Sequence, residues 1–337
     1  MIITLKKEAE QQKIDQLIHR FESMGLQVTV IYGENYNVFG LVGDTSKVDE
    51  KNVMANPIVA NVQRVDEPYK LVNRKFHPED TIIDVNGIQI GGKKIVMIAG
   101  PCSVEGEEQI TRIAKEVKDC GADMLRGGAY KPRTSPYAFQ GLGTEGIQDL
   151  CIARQQTGLP IVSELMAVEH LDEFVQNVDI IQIGARNMQN FDLLKAVGRT
   201  KKPILLKRGL ANTINEWIMA AEYIMSEGNP NVIFCERGIR TFETMTRNTL
   251  DLAVIPIIKE RTHLPIIIDP SHAAGDWKLI ESLSLAAIAA GADGLIIEVH
   301  DNPECAWSDG DQSLKPDKYA NLVQKGKKIA EVIGREL

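Results

Sequence analysis

The sequence of 337 residues contains no apolar run long enough to span a membrane and no Cys-x-x-Cys pair. Its first residues, Met-Ile-Ile-Thr-Leu-Lys-Lys-Glu, become charged too soon for a signal peptide. The five cysteines are odd in number and widely scattered, so neither a disulfide framework nor a zinc finger is indicated. A formal net charge of −8 argues against general nucleic-acid binding. We therefore expect a cytoplasmic protein with reduced cysteines and with neither a membrane nor a nucleic acid as its partner.

The first 66 residues have the pattern of a separate small domain. Four short runs of β-type residues predict strands at Ile2–Leu5, 26–32, 38–42 and 58–65. Residues 8–24 have the apolar spacing of a helix, and a short helical piece precedes the last strand. The order β-α-β-β-α-β is the ferredoxin-like pattern. Residues 67–80 contain two prolines and dense charge, which predicts a linker before a second domain at 81–337.

The second domain begins with a predicted hairpin and continues as an alternation of strands and helices. Asn86-Gly87 favours a tight primed turn between residues 81–85 and Ile88–Ile90. Eight strands follow, at residues 95–99, 123–125, 161–163, Ile180–Ile183, 204–206, 232–235, Ile266–Ile268 and 295–297.

The clearest of the intervening helices are at Glu107–Asp119, Ile214–Ser226, 279–290 and 318–334. The pattern predicts an α/β fold, a (β/α)8 TIM barrel with the hairpin over one end and the small α+β domain in front. A doubly wound open sheet is the competing fold, but no Gly-x-Gly-x-x-Gly turn follows the first strand.

The stretch 125–136, Leu-Arg-Gly-Gly-Ala-Tyr-Lys-Pro-Arg-Thr-Ser-Pro, has the composition of a binding-site loop. Its glycines allow backbone to approach a ligand closely, and its prolines stiffen the backbone around them. Arg126, Lys131 and Arg133 supply donors suited to phosphate or carboxylate oxygens. A solvated basic loop would explain the charges but not the spacing of glycine and proline, so we favour an anion site.

Polar residues stand at the end of every predicted barrel strand. They are Cys102 with Ser103, Arg126, Glu164, Arg186, Lys207 with Arg208, Glu236 with Arg237, Asp269 with His272, and Glu298 with His300. A barrel places its strand ends around one rim, where active sites of this fold are built. Some of these residues can instead form structural ion pairs, and we expect that of Arg208 and Asp269.

Two sets within this ring differ in their chemistry. The cations are more numerous than one phosphate needs, so the site is expected to bind highly charged anions; they are Arg126, Lys131, Arg133, Arg186, Lys207 and Arg237. One thiol, one imidazole and two carboxylates, from Cys102, His272, Glu298 and Asp309, are together capable of holding a divalent metal ion. Spacing alone leaves open a packing cysteine and a hydrogen-bonded histidine.

The site residues belong to eight short motifs, which in order are Ile98-Ala-Gly-Pro-Cys-Ser, Arg126-Gly-Gly-Ala-Tyr-Lys-Pro-Arg-Thr-Ser, Gln182-Ile-Gly-Ala-Arg-Asn, Leu205-Leu-Lys-Arg-Gly, Cys235-Glu-Arg-Gly, Asp269-Pro-Ser-His, Ile297-Glu-Val-His and Ser308-Asp-Gly. With these motifs the chain resembles, over nearly its whole length, the 3-deoxy-arabino-heptulosonate 7-phosphate (DAHP) synthase family, type I beta subclass. The resemblance implies a transferase, 3-deoxy-7-phosphoheptulonate synthase. It would condense phosphoenolpyruvate with erythrose 4-phosphate and water in the first step of the shikimate pathway to aromatic amino acids.

The resemblance also implies roles for individual residues. It implies one divalent metal ion, such as Mn²⁺, Fe²⁺, Zn²⁺ or Co²⁺, held by Cys102, His272, Glu298 and Asp309. It implies that phosphoenolpyruvate binds to Arg126, Lys131, Ala185, Arg186, Lys207, Arg237 and His272, and erythrose 4-phosphate to Arg133, Thr134 and Ser135. Glu164 or Lys131 would position water or transfer a proton.

Three alternatives remain at this point. The related 3-deoxy-manno-octulosonate 8-phosphate synthases take a five-carbon sugar phosphate, but they have Ala-Asn-Arg-Ser where this chain has Lys131-Pro-Arg-Thr. A Schiff-base aldolase could use Lys207, although cations crowd that position. A sensor with an inactive barrel is a third possibility, which the intact set of site residues disfavours.

The N-terminal domain contributes none of the rim residues, so its role lies outside the chemistry. Fold alone leaves oligomerisation and regulation equally open. Enzymes of the subclass with such an ACT-like domain are typically inhibited by an aromatic end product, so the resemblance implies tyrosine, or secondarily phenylalanine, as an effector. It also implies a homo-oligomer, a dimer or a tetramer.

Overall fold

The computed structural model describes residues 1–32, 37–43, 45–64, 67–133 and 135–337. The chain forms two compact units, one of Met1–Asp80 with Glu260–His263 and one of Thr81–Lys259 with Leu264–Leu337. Among the residues described, no helix is both long and apolar enough to cross a membrane.

The N-terminal unit is a four-stranded antiparallel sheet with helices. Its elements are β1 (Ile2–Leu5), α1 (Gln11–Ser23), β2 (Gln27–Tyr32), β3 (Asn37–Val42), α2 (Glu50–Met54) and β4 (Val59–Gln63). The strand order is β2-β3-β1-β4, so the predicted β-α-β-β-α-β arrangement is confirmed. Helix α1 places Ile14, Leu17 and Phe21 in the core because this spacing lies on one helical face. Its first turn begins at Gln11, three residues later than the apolar pattern predicts.

Residues 67–80, predicted as a linker, contain no helix or strand among those described, but they contribute to packing of the N-terminal unit. Phe76 is buried with Ile2 and Val38. A Cβ atom at Gly40 would lie 2.6 Å from the Phe76 ring, so this strand position needs glycine for the close approach. The segment therefore combines a linker-like composition with one apolar anchor.

The C-terminal unit opens with the hairpin β5 (Ile83–Val85) and β6 (Ile88–Ile90). Asn86 and Gly87 both have positive φ angles, 55° and 87°, as a primed turn requires, so the predicted turn is confirmed. Ile83, Val85 and Ile90 pack against residues that begin barrel strands and point into the barrel, including Val96, Met124 and Ile180. The hairpin therefore covers the N-terminal end of the barrel.

The eight following strands close into a parallel barrel in the order β7 to β14. They are β7 (Val96–Gly100), β8 (Met124–Arg126), β9 (Ile161–Glu164), β10 (Ile180–Ile183), β11 (Ile204–Lys207), β12 (Val232–Glu236), β13 (Ile266–Ile268) and β14 (Gly294–Glu298). Pairing of β14 with β7 from Gly294↔Val96 to Glu298↔Gly100 closes the ring. The predicted (β/α)8 barrel is confirmed, and the doubly wound sheet is wrong.

Several barrel strands extend one residue beyond the predicted end. Arg126, Glu164, Lys207, Glu236 and Glu298 are the last residues of their strands rather than loop residues. The ladder continues through them, as the pairs Gln182↔Glu164 and Lys207↔Cys235 show. These polar side chains are therefore held by sheet pairing, which fixes their positions more closely than a loop would.

Helices surround the barrel, and three connections at its C-terminal end are long. The helices are α3 (Glu107–Asp119), α4 (Thr144–Thr157), α5 (Leu171–Asn177), α6 (Phe191–Gly198), α7 (Ile214–Ser226), α8 (Val254–Arg261), α9 (Pro270–Ala274), α10 (Trp277–Ala289) and α11 (Pro316–Val332). The long connections follow β8, β12 and β14, at residues 127–143, 237–253 and 299–315. Long loops at this end of the fold are where binding residues are expected.

Candidate active site at the C-terminal mouth of the barrel

Four side chains with metal-binding donor atoms converge at the C-terminal mouth. Cys102 follows β7, His272 lies in α9, Glu298 ends β14, and Asp309 lies in the loop after β14. One donor atom from each lies within 4.8 Å of those from the other three. The Sγ atom of Cys102 lies 3.1 Å from Oδ2 of Asp309, and Nε2 of His272 lies 3.4 Å from Oε1 of Glu298. We call these four residues the donor cluster.

Local structure orients two members of the donor cluster. Asp269 caps α9 by accepting a hydrogen bond from the backbone N–H of His272 at 2.9 Å. Its Oδ2 lies 2.7 Å from Nδ1 of the same imidazole, so Nδ1 carries the proton and Nε2 is left to face Glu298. Asp309 has a left-handed backbone with φ 52° and ψ 38°, which Asp tolerates better than most residues.

The protonation states of the donor cluster suit a cation. Burial raises the pKa of the Cys102 thiol to about 12, and the neighbouring Glu298 carboxylate adds to this shift. Burial also raises the pKa of Glu298, but His272 and Arg126 outweigh it, so the net shift is downward. Burial lowers the pKa of His272, which keeps its imidazole neutral as a metal ligand requires. Only the thiol would have to lose a proton to complete the set.

This donor set fits a divalent first-row metal ion. It combines one sulfur, one imidazole nitrogen and two carboxylates, a mixture of soft and hard ligands that several such metals accept. Two carboxylates and a buried thiol lie close together here, an arrangement that a divalent cation would stabilise. Cys102, His272, Glu298 and Asp309 would be the ligands.

A cleft rich in cations adjoins the donor cluster, and we call it the rim cleft. It is lined by Lys131, Pro132, Arg133, Glu164, Gly184, Ala185, Arg186, Lys207, Leu210, Arg237, Arg240, Arg247, Asn248, His272 and Asp309. Arg126, Cys102 and Glu298 are buried beneath this surface, where Arg126 pairs with Glu298. Most residues predicted for the site are therefore brought together.

Two of the predicted residues are not placed in the rim cleft. Ser135 is exposed and is absent from the described residues that line the cleft. Thr134 lies outside the described residues, so its position is not part of the structure.

Lys131 contacts the donor cluster at Cys102. Its Nζ atom donates to the carbonyl oxygen of Cys102 at 2.8 Å and lies 3.0 Å from the Cys102 sulfur. A Cβ atom at Gly128 would lie 2.8 Å from that carbonyl and 2.9 Å from the Lys131 side chain. Glycine is therefore needed there for close packing against Cys102 and Lys131, whereas the sequence predicts close approach to a ligand.

Two arginines of the rim cleft have unmet capacity to bind an anion. Arg237 is buried and donates from Nη1 to the carbonyl of Gly238 at 3.3 Å, and no ion pair joins it to a carboxylate among the described residues. Burial lowers the pKa of Arg237. The carboxylate of Asp269 raises this pKa and the nearby charge of Arg247 lowers it, so the net shift is downward. The Nη2 atom of Arg133 is buried without a hydrogen-bond partner in the described part of the chain. A bound phosphate or carboxylate would satisfy both groups.

Asp269 connects the cations to the donor cluster. Its Oδ2 atom accepts from Nζ of Lys207 at 2.5 Å while also lying against His272. Burial raises the pKa of Asp269, but its interactions with His272 and with the charge of Lys207 hold that pKa well below its ordinary value. The expectation of an ion pair at Asp269 is met, and the pair lies within the site. Arg208 pairs with buried Glu236 at 2.8 Å and with Asp251 at 3.0 Å, also as expected.

The sequence interpretation missed three residues near the mouth. Arg240 and Arg247 come from the long loop after β12 and line the rim cleft. Gln312 is buried and donates to Oε2 of Glu298 at 2.6 Å. For the two arginines, the one available signal was a connection of seventeen residues, 237–253, since binding residues concentrate in long loops of a barrel. Gln312 carried no such signal.

The fold and the site together define a (β/α)8-barrel protein whose mouth joins an anion-binding cleft to a cluster of metal-type donors. Residues 76–335 match the DAHP synthetase I family, and residues 1–67 match the DAHP synthase ferredoxin-like domain. The chain belongs to the DAHP synthetase I family. The resemblance drawn from the sequence motifs is thereby confirmed.

Related proteins match this chain either over its full length or over the barrel. A phospho-2-dehydro-3-deoxyheptonate aldolase of Thermotoga maritima is 48% identical over 99% of both chains. A crystal structure of that organism's DAHP synthase has a TM-score of 0.80 and 47% identity, and it covers 99% of this chain and 98% of its own. A 2-dehydro-3-deoxyphosphooctonate aldolase of Geobacter sulfurreducens is 31% identical over 74% of this chain and 98% of its own.

Proposed function

We propose that this protein is a DAHP synthase, which condenses phosphoenolpyruvate with erythrose 4-phosphate and water to give DAHP and phosphate. The observation that carries the proposal is the 48% identity to a phospho-2-dehydro-3-deoxyheptonate aldolase over 99% of both chains. The rim cleft supports it, because two phosphorylated substrates need many cations beside a cluster that activates a carbonyl.

Phosphoenolpyruvate binds to the inner cations in this proposal. Arg186, Lys207 and Arg237 hold its phosphate, and the backbone at Ala185 contributes to the same pocket. Arg126 and Lys131 hold its carboxylate, and the contacts of Lys131 with Cys102 support a position for that carboxylate beside the donor cluster. Burial of Arg237 without a carboxylate partner supports this assignment, because a dianion would offset its desolvation.

Erythrose 4-phosphate binds to the loop after β8. Arg133, Thr134 and Ser135 are assigned to its phosphate, and the buried Nη2 atom of Arg133 is available for it. The Nε atom of Arg133 is already held by the carbonyl of Phe139 at 3.0 Å, which orients the guanidinium. This placement brings the aldehyde to the donor cluster, so C3 of phosphoenolpyruvate can attack it.

A divalent metal ion held by Cys102, His272, Glu298 and Asp309 would supply Lewis-acid polarisation of the aldehyde oxygen. The chain's own residues do the remaining work. Glu164 lines the rim cleft and is held by Gln182, whose amide donates to it at 3.0 Å, so it can position the water that adds at C2. Lys131 can donate a proton to an oxygen that forms near Cys102. Loss of phosphate from C2 then gives the product.

The decisive experiment is phosphate release with both substrates, before and after exhaustive chelation with metal analysis. We expect no release when either substrate is omitted, loss of release after chelation, and recovery on adding Mn²⁺ or Co²⁺. Full turnover by metal-free protein would contradict the assignment of the donor cluster. Absence of turnover with both substrates and every metal would contradict the activity and favour a sensor.

The sugar phosphate distinguishes this proposal from the octulosonate alternative. The 31% identity to a 2-dehydro-3-deoxyphosphooctonate aldolase covers 74% of this chain, so that alternative needs its own test. The Lys131-Pro-Arg-Thr loop favours a four-carbon substrate, because proline fixes the distance from Arg133 to the donor cluster. Equal kcat/KM with arabinose 5-phosphate would contradict this choice.

A Schiff-base mechanism is less well supported. A nucleophilic amine must be uncharged, whereas Lys207 is ion-paired with buried Asp269 at 2.5 Å. Borohydride with substrate is expected to trap no adduct, and trapping at Lys207 would overturn this reasoning.

Regulation by the N-terminal domain, residues 1–66, is the second part of the proposal. We expect tyrosine, and secondarily phenylalanine, to inhibit the full-length protein. A variant beginning near residue 70 should stay active and become insensitive. The relative's truncated form, which covers 80% of this chain with 48% identity and a TM-score of 0.75, supports making such a variant.

Insensitivity of the full-length protein to millimolar tyrosine and phenylalanine, on the order of ordinary metabolite binding, would contradict regulation. Light scattering would test the proposed dimer or tetramer in both forms.

A further inference from the structure

Arg247, in the loop after β12, contacts the loop after β14 that carries Asp309. Its Nη1 atom lies 3.2 Å from Oδ1 of Asp309 and donates to Oε1 of Gln312 at 2.7 Å. Gln312 is 2% exposed, and its amide nitrogen donates to Oε2 of Glu298 at 2.6 Å. Arg247 therefore touches one residue of the donor cluster directly and a second through one intervening side chain.

The same segment is also joined to the helix that carries His272. The backbone N–H groups of Arg247 and Asn248 donate to the carbonyls of Ala274 and Ala273 at 3.0 and 2.8 Å. The side-chain amide of Asn248 donates to the carbonyl of His272 at 2.9 Å. Two adjacent residues thus hold α9 and the loop after β14 in one arrangement.

The packing beneath Arg247 leaves little freedom. A Cβ atom at Gly275 would lie 2.6 Å from Cβ of Arg247, and Gly275 has a φ angle of 72°. Glycine is needed there both for the backbone conformation and for the approach of the two segments. The base of the Arg247 side chain is therefore fixed, although the residue is exposed at its tip.

The two carboxylates of the donor cluster each divide their oxygens. In Asp309, Oδ2 faces the Cys102 sulfur at 3.1 Å while Oδ1 faces Arg247 at 3.2 Å. In Glu298, Oε1 faces His272 at 3.4 Å and also accepts from Arg126, while Oε2 accepts from Gln312. Each carboxylate therefore has one oxygen held by a side chain of the loops outside the cluster and its other oxygen facing a member of the cluster. Partners of this kind orient metal ligands.

We propose that Arg247, acting with Gln312, is a positioning residue that sets the affinity and ligand geometry of the metal site. The inference rests on the proposed function, in which the donor cluster holds a divalent ion. Loss of such an outer partner typically weakens metal binding about 10–100-fold. The competing role is direct anion binding, since Arg247 lines the rim cleft and could hold a substrate phosphate instead.

The test is titration of metal-free, full-length protein with Co²⁺, followed by near-ultraviolet and visible absorption and by calorimetry. Wild type should bind one Co²⁺ with a thiolate charge-transfer band and a d–d spectrum. Arg247→Gln should raise the Kd about 10–100-fold and alter the d–d bands. The Co²⁺ Kd of Arg247→Lys should lie between those of wild type and Arg247→Gln, because an ammonium can keep the ion pair with Asp309 but lacks the planar fork of donors.

Arg240→Gln is the matched control. It removes the same charge from the same loop and cleft, but Arg240 has no contact with the donor cluster or Gln312 among the described residues. Its Co²⁺ Kd and spectrum should equal those of wild type. Gln312→Met removes the link between Arg247 and Glu298 and should shift the Co²⁺ spectrum as Arg247→Gln does. If Arg247→Gln is unstable, the spectrum of Gln312→Met tests the positioning role in its place.

Failure of wild type to bind Co²⁺ would overturn the proposed metal site itself. Normal Co²⁺ binding by Arg247→Gln, with unchanged spectrum and a raised KM for one substrate, would overturn the positioning role and assign Arg247 to anion binding. An equal weakening in Arg240→Gln would also overturn it, because loss of cleft charge would then explain the effect.

Discussion

Replacing Asp269 by asparagine should separate the structural and functional roles of the buried carboxylate between Lys207 and His272. Asp269 is 1% exposed. Its Oδ2 accepts from both side chains, at 2.5 and 2.7 Å, while Oδ1 accepts from the His272 backbone N–H at 2.9 Å. All three partners donate, so a carboxylate satisfies them and an amide does not.

The magnitude depends on the hydrogen bonds that asparagine cannot make. In either orientation its NH₂ group meets a donor, so at least one hydrogen bond is lost, and the buried ammonium of Lys207 loses its counter-charge. Breaking a buried ion pair by removing one partner costs about 3–5 kcal/mol. Because the folded-state pKa of Asp269 lies far below that of an unfolded aspartate, this contribution is complete above about pH 4 and is lost as pH falls further.

The assay is urea unfolding of metal-free protein at pH 7, with and without inorganic phosphate, together with Co²⁺ titration. Asp269→Asn should lower the free energy of unfolding by about 3–5 kcal/mol. Phosphate should restore part of it, because an anion in the cleft replaces the charge beside Lys207. The Co²⁺ Kd should rise about 10–100-fold, because the carboxylate that accepts from Nδ1 of His272 and fixes its tautomer is replaced by a neutral amide.

Asp293→Asn is the matched control. Asp293 is also buried and pairs with Lys259 at 2.7 Å and with Arg335 at 3.0 Å. Its carboxylate accepts from the backbone N–H of Ile266, at the start of β13 and away from the mouth. Asp293→Asn should destabilise the protein without changing Co²⁺ or phosphate binding. The reasoning is refuted if Asp269→Asn unfolds like wild type, or if both variants change Co²⁺ affinity equally.

Three further predictions concern single groups. Cys102→Ser should weaken Co²⁺ binding and remove the charge-transfer band. In wild type, bound metal should change the rate of peroxide inactivation, because burial raises the pKa of the free thiol to about 12 and a metal-bound sulfur is a thiolate. Unchanged Co²⁺ affinity and an unchanged inactivation rate would identify a packing cysteine. Arg208→Met should lower the free energy of unfolding in urea by about 3–5 kcal/mol, because it leaves the fully buried carboxylate of Glu236 without its ion-pair partner. Adding Glu236→Gln should recover part of that free energy. A loss of less than about 1 kcal/mol in Arg208→Met alone would refute this prediction. Burial lowers the pKa of His263 to about 4, so as the pH falls this histidine is protonated in the unfolded chain before it is protonated in the folded protein. The free energy of unfolding should therefore fall between about pH 6.5 and pH 4, by up to about 3 kcal/mol more in wild type than in His263→Gln. Parallel pH profiles of the two proteins would contradict this prediction.

Hydrophobic periodicity predicted the architecture, because this periodicity is a local property that the chain carries without its folded context. The eight apolar runs, the Asn86-Gly87 turn and the order of the N-terminal elements all have their predicted type. Element ends were less well determined. Glu164, Lys207 and Glu298 are charged, so their local preference ends a strand, yet pairing with a neighbouring barrel strand continues through them.

The sequence also determined the candidate site to the extent that its residues follow strand ends or belong to family motifs. Polar residues after parallel strands meet at one rim, so Cys102, His272 and Glu298 could be grouped before any distance was known. Asp309 has no such position, since it lies eleven residues beyond the end of β14. Its carboxylate allowed it to be grouped with the other donors, and the family resemblance turned that possibility into a definite assignment.

Only the tertiary structure decided which charges pair with which. Asp269 joins Lys207 to His272, and Arg247 reaches Asp309 and Gln312 from another loop. No periodicity encodes these contacts, because they depend on where long side chains end after several loops have packed together. Burial removes water as a competing partner, so each buried charge must find its counterpart within the folded chain, and that choice exists only once the barrel has closed.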